Sequence, residues 1–248
     1  MTRVIWNNVG ERTYEIGIDR GMLYVDDTGV PWNGLVSVAE SPSGAEVQPY
    51  YVDGIKYLNL LSDEEFEATI EAYTYPDEFE ECDGTKAITN GLFITQQPKK
   101  MFSFSYRTKI GNDVDAEDHG YKIHLVYDAL AAPTERPNNT ISESMEPFNF
   151  SWKITTKPPS FTGYKESSHF VIDSRETPED LMTQIENILY GSYFESPRLP
   201  SIPELIYIFG IYETMVFDAG SILEPFYATI DGGPPMPDPS STIDGGGP

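Results

Sequence analysis

The chain is poor in the residues from which disulfides, metal clusters and most catalytic centres are built. A single cysteine, Cys82, in 248 residues excludes an intramolecular disulfide and any cysteine-based metal cluster. Beside a turn, it reads as an inert thiol. The three histidines, His119, His124 and His169, would have to be brought together to hold a metal, and nothing in their spacing requires that. Bases are scarce as well, 16 against 40 acids, for a net charge of −24. A DNA-binding surface needs cations that displace counterions, and this field repels a polyanion. No apolar run approaches the roughly 20 residues of a membrane span. The longest, Ile206 to Tyr212, is broken by Gly210. The opening stretch MTRVIWNNVGERTYE holds no apolar signal segment, so synthesis and retention in the cytoplasm are expected. Glycine-rich phosphate loop, nucleophile elbow and HExxH helix are all missing. With 40 acids a carboxylate pair arises by chance, so a glycosidase reading has no support. No catalytic residue, metal or cofactor is assigned.

What is present is alternation. Met101 to Leu130 reads as two strands, Phe102, Phe104 and Tyr106 alternating with Ser103, Ser105 and Arg107, then Tyr121, Ile123, Leu125 and Tyr127 alternating with Lys122, His124 and Asp128. A period of two places each set on one face of a sheet, and all seven apolar residues are expected to face the core. About a dozen residues separate the arms, where a tight hairpin needs about two to five. Other strands are read at Tyr14–Asp19, Met22–Val25, Leu35–Ala39, Leu92–Gln96, Phe148–Thr155 and His169–Asp173, with a hairpin at Tyr50–Tyr57 turning on Asp53-Gly54. The stretch Phe66–Tyr75 alternates Phe66, Ala68, Ile70 and Ala72 with Glu67, Thr69, Glu71 and Tyr73. Its Thr and Tyr content and Pro76 favour a strand, although Glu and Ala favour helix.

One amphipathic helix stands out. Thr177 reads as its cap, with Pro178 first in the helix and Glu179 and Asp180 at the positive end of the dipole. Leu181, Ile185, Ile188 and Leu189 form the stripe expected to pack on a sheet, and Gly191 ends it. A further helical turn is read over Pro203–Ile208, with Ser201 and Glu204 as a capping box. Strands are then read at Thr214–Phe217 and Phe226–Ile230. A Pro/Gly-rich tail from Gly232 to Pro248 repeats the TIDGG motif and is expected to be flexible.

The acidic stretch beginning at Asp113 starts like a calcium loop, with acids at positions one, three and five. It fails at position six, Asp118 instead of Gly, and at position twelve, His124 instead of Glu.

The segments Asp19–Tyr24, Pro31–Leu35, Ala72–Phe79, Tyr106–Thr108 with Ile110–Asp113, Lys122–Tyr127 and Leu189–Gly191 follow one another over about Arg12 to Pro200. Together and in this order they resemble the major tail (tail tube) proteins of long-tailed, siphovirus-type phages of actinobacteria. The resemblance implies a β-sandwich or β-barrel with one amphipathic helix packed on the sheet. It also implies hexameric rings stacked into a tube in the virion tail, assembled in the host cytoplasm. Residues 1–200 would form the tail-tube β domain, 201–231 a strand-containing extension and 232–248 the flexible tail. Implied partners are other copies of the chain, with the tape measure protein, tail terminator and distal tail protein at the ends. Genomic DNA would pass through an acidic lumen without specific binding, and no membrane insertion is implied. Glu67 and Glu71 are the lumen-facing candidates. Lys109, Asn112, Asp113, Asp115, Glu117 and Asp118 are the candidates for contact with a neighbouring subunit. Two alternatives stay open: a distal tail or terminator ring protein, and a carbohydrate- or receptor-binding β-sandwich using the tyrosines and tryptophans.

Overall fold

The computed structural model describes residues 6–44, 46–132, 134–136, 138, 140, 147–161 and 164–217, with side chains as far as Gly210. The strands are β1 (Tyr14–Val25), β2 (Thr28–Pro31), β3 (Leu35–Glu40), β4 (Ser43–Gly44), β5 (Val47–Val52), β6 (Ile55–Leu61), β7 (Glu64–Glu65) and β8 (Glu67–Ala72). A 3-10 turn at Asp77–Phe79 and the short helix α1 (Glu80–Asp83) follow. Then come β9 (Lys86–Thr89), β10 (Leu92–Ile94), β11 (Phe102–Asn112), β12 (Ala116–Ala131), β13 (Phe150–Thr156) and β14 (His169–Asp173), and the helices α2 (Glu179–Tyr190) and α3 (Ile202–Phe217). The chain divides into two compact units, Met1–Ile206 and Tyr207–Pro248. Of the second, the C-terminal part of α3 is described. No described helix is long and apolar enough to cross a membrane.

The described residues are mainly β, with antiparallel sheets and no closed barrel among them. Eight strands form the main sheet in the order β2-β1-β11-β12-β13-β8-β3, with β14 on β12 off that path. Local chemistry sets the turns. Asp26 and Asp27 (φ 48° and 61°) join β1 to β2, and Asp53 and Gly54 (φ 51° and 75°) join β5 to β6, the left-handed pairs that two-residue hairpins demand. The long strand β12 changes partner along one edge: Lys122–Val126 pairs with β14, and Ala129–Ala131 pairs with β13. Asp128, at φ 51°, lies between these pairings and bends the strand as a bulge does.

Register decides which residues share a face. Leu23 lies opposite Phe104, and Phe104 opposite Val126. This face continues through Ala129, Ala131, Ile154, Trp152, Ala68, Ile70 and Ala72 into one core cluster. At its centre Phe79 packs on Trp32 (4.8 Å between ring centroids), Trp152 (5.1 Å) and Phe102 (5.2 Å), offset or edge-on contacts that aromatic rings prefer. The opposite face of β1, β11 and β12 carries Tyr24, Ser105, Ile123 and Leu125 and is covered by α2. The Tyr24 hydroxyl donates to the Leu189 carbonyl (3.0 Å), and the Tyr121 hydroxyl to Glu186 Oε1 (2.8 Å). Leu181, Met182, Ile185, Ile188 and Leu189 are the buried stripe.

Several expectations need correction. Six of the seven apolar residues of the β11–β12 hairpin are buried as expected and Tyr121 is half-buried, but the two sets face opposite sides: Phe102, Phe104 and Tyr106 enter the core cluster, whereas Ile123 and Leu125 are buried on the α2 side. The pairing of Phe104 with Val126, not Leu125, causes this. The dozen-residue connection is a three-residue tip, because β11 runs on to Asn112 and β12 starts at Ala116. Tyr14–Asp19 and Met22–Val25 form one strand, irregular between Asp19 and Met22. Pro178, not Thr177, is the N-cap of α2, with no side-chain capping bond. Thr214–Phe217 is helical within α3, so there is more than one helix. The capping box holds: Glu204 N–H donates to Ser201 Oγ and Ser201 N–H to Glu204 Oε2, both at 3.3 Å. Phe226–Ile230 and the tail at 232–248 lie outside the described residues.

Candidate functional site

Strand β8 presents its two faces in strict alternation, Ala68, Ile70 and Ala72 buried and Glu67, Thr69 and Glu71 partly exposed. The pairings of β8 with β13 and β3 place Ser151, Lys153 and Thr155, and Ser37 and Ala39, on the same side as the glutamates. The result is a polar patch across three strands, made of small residues and a few charges. Neither glutamate is free. Lys153 Nζ lies 2.7 Å from Glu67 Oε2 and holds that carboxyl below the usual carboxylate range. Ser37 Oγ donates to Glu71 Oε2 (3.0 Å). The patch is therefore less acidic than two bare carboxylates would make it.

The β11–β12 tip, Asp113-Val114-Asp115, is braced by its own chain. Asn112 is buried, and its Oδ1 accepts from the N–H groups of Val114 and Asp115, the local turn geometry an Asn side chain favours. Gly10 N–H donates to Asp113 Oδ1 (2.9 Å), and Arg12 lies 3.8 Å from the same carboxylate. Lys109 pairs with Glu117 across the two strands (3.5 Å). Asp113, Asp115, Glu117 and Asp118 are exposed, and Lys109 is half-buried.

Two further hairpins stand apart as separate two-stranded sheets, β5–β6 and β9–β10. In β5–β6 apolar residues on both faces meet solvent: Tyr51 is 63% exposed, Ile55 73%, Tyr57 72% and Leu61 66%. Ile88, Leu92 and Phe93 of β9–β10 are exposed as well. Periodicity located the β5–β6 turn but not this exposure. The signal lay in the charges: Val47–Leu61 holds one acid, Asp53, and one base, Lys56, in a chain of net −24.

A fourth location joins residues that spacing kept apart. Pairing of β12 with β14 sets His124 diagonally across from His169, and His124 Nδ1 comes 3.1 Å from His169 Nε2. Glu40, ending β3, reaches the same point, 3.6 Å from His124 Nδ1. Burial, with the second imidazole adding to it, pushes His124 down to about 4, and burial lowers His169 too. Cys82 is buried in α1, and its thiol is pushed up to about 12 by that burial, the state of an unreactive side chain.

No family model matches the chain, and no curated protein matches it. Among solved structures it is similar to a chain of the sheath–tube complex of an extracellular contractile injection system (PVC) in the extended state, at 13% identity over 62% of this chain and 88% of that one, TM-score 0.32. It is also similar to a chain of the anti-feeding prophage tube-terminating cap, at 11% identity over 70% and 97%, TM-score 0.33. A third is a chain of the PVC sheath/tube terminator, at 15% identity over 64% and 97%, TM-score 0.31. Similarity this distant leaves the reading of the chain to its own residues.

Proposed function

We propose that this protein is a structural subunit that polymerises with copies of itself into stacked rings, the tail tube of a long-tailed phage. The observation that carries the reading is the β5–β6 hairpin, an exposed apolar surface on both faces with no net charge in a strongly acidic chain. Apolar surface of this kind marks an interaction site. Its partner is another copy of the chain: a charge-neutral arm is a part of a −24 surface that a second copy meets without like-charge repulsion. Pairing edge to edge would also cover strand edges that otherwise invite aggregation. The collinear resemblance from Arg12 to Pro200 points to the same architecture.

In this reading the rings are hexameric, β5–β6 and β9–β10 make the principal contacts, and the β11–β12 tip makes a second one through Val114 and the exposed acids beside it. The polar patch of β13, β8 and β3 faces the channel, with Glu67 and Glu71 toward passing DNA. Small hydroxyl side chains and paired charges offer phosphates no cluster of cations to hold them. Tape measure, terminator and distal tail proteins would meet the ends of the tube, in a virion assembled in the host cytoplasm.

Sedimentation velocity across a concentration series tests this reading. The wild-type chain is expected to form large species as concentration rises, and the double variant Ile55→Glu/Tyr57→Lys to stay monomeric with an unchanged far-UV spectrum. Equal assembly by both proteins would remove the arm from the interface. A wild-type chain that stays monomeric throughout would overturn the polymer itself.

A further inference from the structure

We propose that Glu40, His124 and His169 form a binding site for one divalent transition-metal ion, zinc by the character of its ligands. The proposal does not depend on the assembly reading. One ligand atom from each of His124, His169 and Glu40 lies within 4.8 Å of the other two. With metal–nitrogen bonds of about 2.0–2.1 Å, two imidazole nitrogens on a tetrahedral ion stand roughly 3.3 Å apart. The observed 3.1 Å is therefore close to the spacing of two ligands, and Glu40 at 3.6 Å reaches a third corner. Imidazole and carboxylate together suit zinc and its neighbours better than calcium or magnesium, which take oxygen ligands.

The groups that would orient the ligands are already in place. Thr108 Oγ1 lies 3.1 Å from His124 Nε2, so the ring can keep its proton on Nε2 and turn a lone pair inward from Nδ1. The Tyr106 hydroxyl donates to Glu40 Oε1 at 2.6 Å, leaving that carboxylate free to offer another lone pair. Outer partners of this kind fix the tautomer and aim of metal ligands. The Tyr106 ring stacks on His124 with centroids 4.5 Å apart, and Phe66 packs at 4.5 Å on His169. His124 is 9% exposed and Glu40 40%, and His169 and Glu40 open on a cleft of about 350 Å³. That cleft gives an ion its way in and leaves room for water as a fourth ligand.

On binding, the ion would take the place of the hydrogen bond between the imidazoles. His169 moves its proton from Nε2 to Nδ1, and no proton is lost. The mechanical consequence follows from topology. Glu40 ends β3, the last strand of the sheet path, whereas His124 and His169 lie on β12 and β14. One ion would tie the end of the sheet to its middle.

The test uses the untagged full-length chain, stripped of metal and titrated with zinc chloride by calorimetry. One ion per chain is expected, with a rise in Tm. Cobalt(II) in its place should give the visible absorption of a four-coordinate ion. Glu40→Gln and His169→Ala should each weaken zinc binding at least 100-fold, and the positioning variant Thr108→Val about 10-fold. Unweakened binding in Glu40→Gln or His169→Ala, or no saturable binding to the wild type, overturns the site. Should His169→Ala fail to fold, histidine-labelled wild type decides. Zinc must shift the ring resonances of His124 and His169 while leaving His119 in place, and any other pattern contradicts the proposal.

Discussion

Arg107 grips Asp19 with two arms of its guanidinium, Nε to Oδ1 and Nη2 to Oδ2, each at 2.6 Å. The pair locks β1 to β11 on the face that α2 covers, and the guanidinium lies 4.7 Å over the Tyr121 ring. The Arg107 hydrogen bond, then its charge, holds the Asp19 carboxyl below the usual carboxylate value of 3.8. The folded state thus binds fewer protons than the unfolded state near that pH. Asp19 contributes its full stability above the unfolded pKa and loses it as pH falls through the folded value. Asp19→Asn should cost about 1–3 kcal/mol at pH 7, as bonds to charged groups do. The difference from wild type should be constant from pH 7 to 5 and shrink below about 4. Urea unfolding at stepped pH checks this, and a difference that stays flat through pH 3 would contradict it.

Ile185 is fully buried on α2, at the centre of the stripe that packs against the sheet. Ile185→Ala should destabilise the monomer by about 2–5 kcal/mol, transfer and cavity effects together. Thr183, exposed on the same helix, should cost within about 0.5 kcal/mol when changed to Ala. Equal costs by urea unfolding would mean that α2 is not held by its stripe.

Asn112 fastens the hairpin tip through its side-chain amide. Asn112→Ala removes the acceptor for the Val114 and Asp115 N–H groups and should cost about 1–3 kcal/mol. Amide exchange at both positions should rise in the variant while exchange at Leu125 stays slow. Unchanged protection at the tip would show that Gly10 and Arg12 brace it alone.

The patch on β13, β8 and β3 predicts how DNA behaves. Glu67→Lys/Glu71→Lys raises the net charge of each chain by four, through two reversals from −1 to +1. Assembled variant should retain DNA at low salt and release it steeply as salt rises, whereas wild type should not retain it. Retarded migration of a labelled duplex reads the difference. A variant that retains no more DNA than wild type would place the patch away from the channel.

The sequence made most of this sheet legible because its strands alternate cleanly: β8 and β13 are where period and propensity put them, and the α2 stripe and Gly191 agree with the helix found. The misreadings of the β11–β12 hairpin share one cause, information held in pairing rather than in periodicity. Alternation sorts Phe104 from Ser105 and Leu125 from Val126, but only register tells which of these share a face. Acids and glycine from Glu117 to Gly120 look like loop because they are poor strand formers, yet cross-strand bonds and the Lys109–Glu117 pair hold them in β12. His124 and His169 meet only because β14 pairs with β12 across 45 residues of separation. The exposed arm was visible in principle, as a charge-poor stretch in an acidic chain, though periodicity alone does not say which apolar residues lack cover.

The central claim is that this chain builds a tube from copies of itself. Negative-stain electron microscopy of the purified full-length protein, raised to high concentration, tests it most directly. The account predicts long tubes of uniform width with a central channel and ring-like end views of six-fold symmetry. Monomers, or single rings that never stack, at every concentration reached would contradict it.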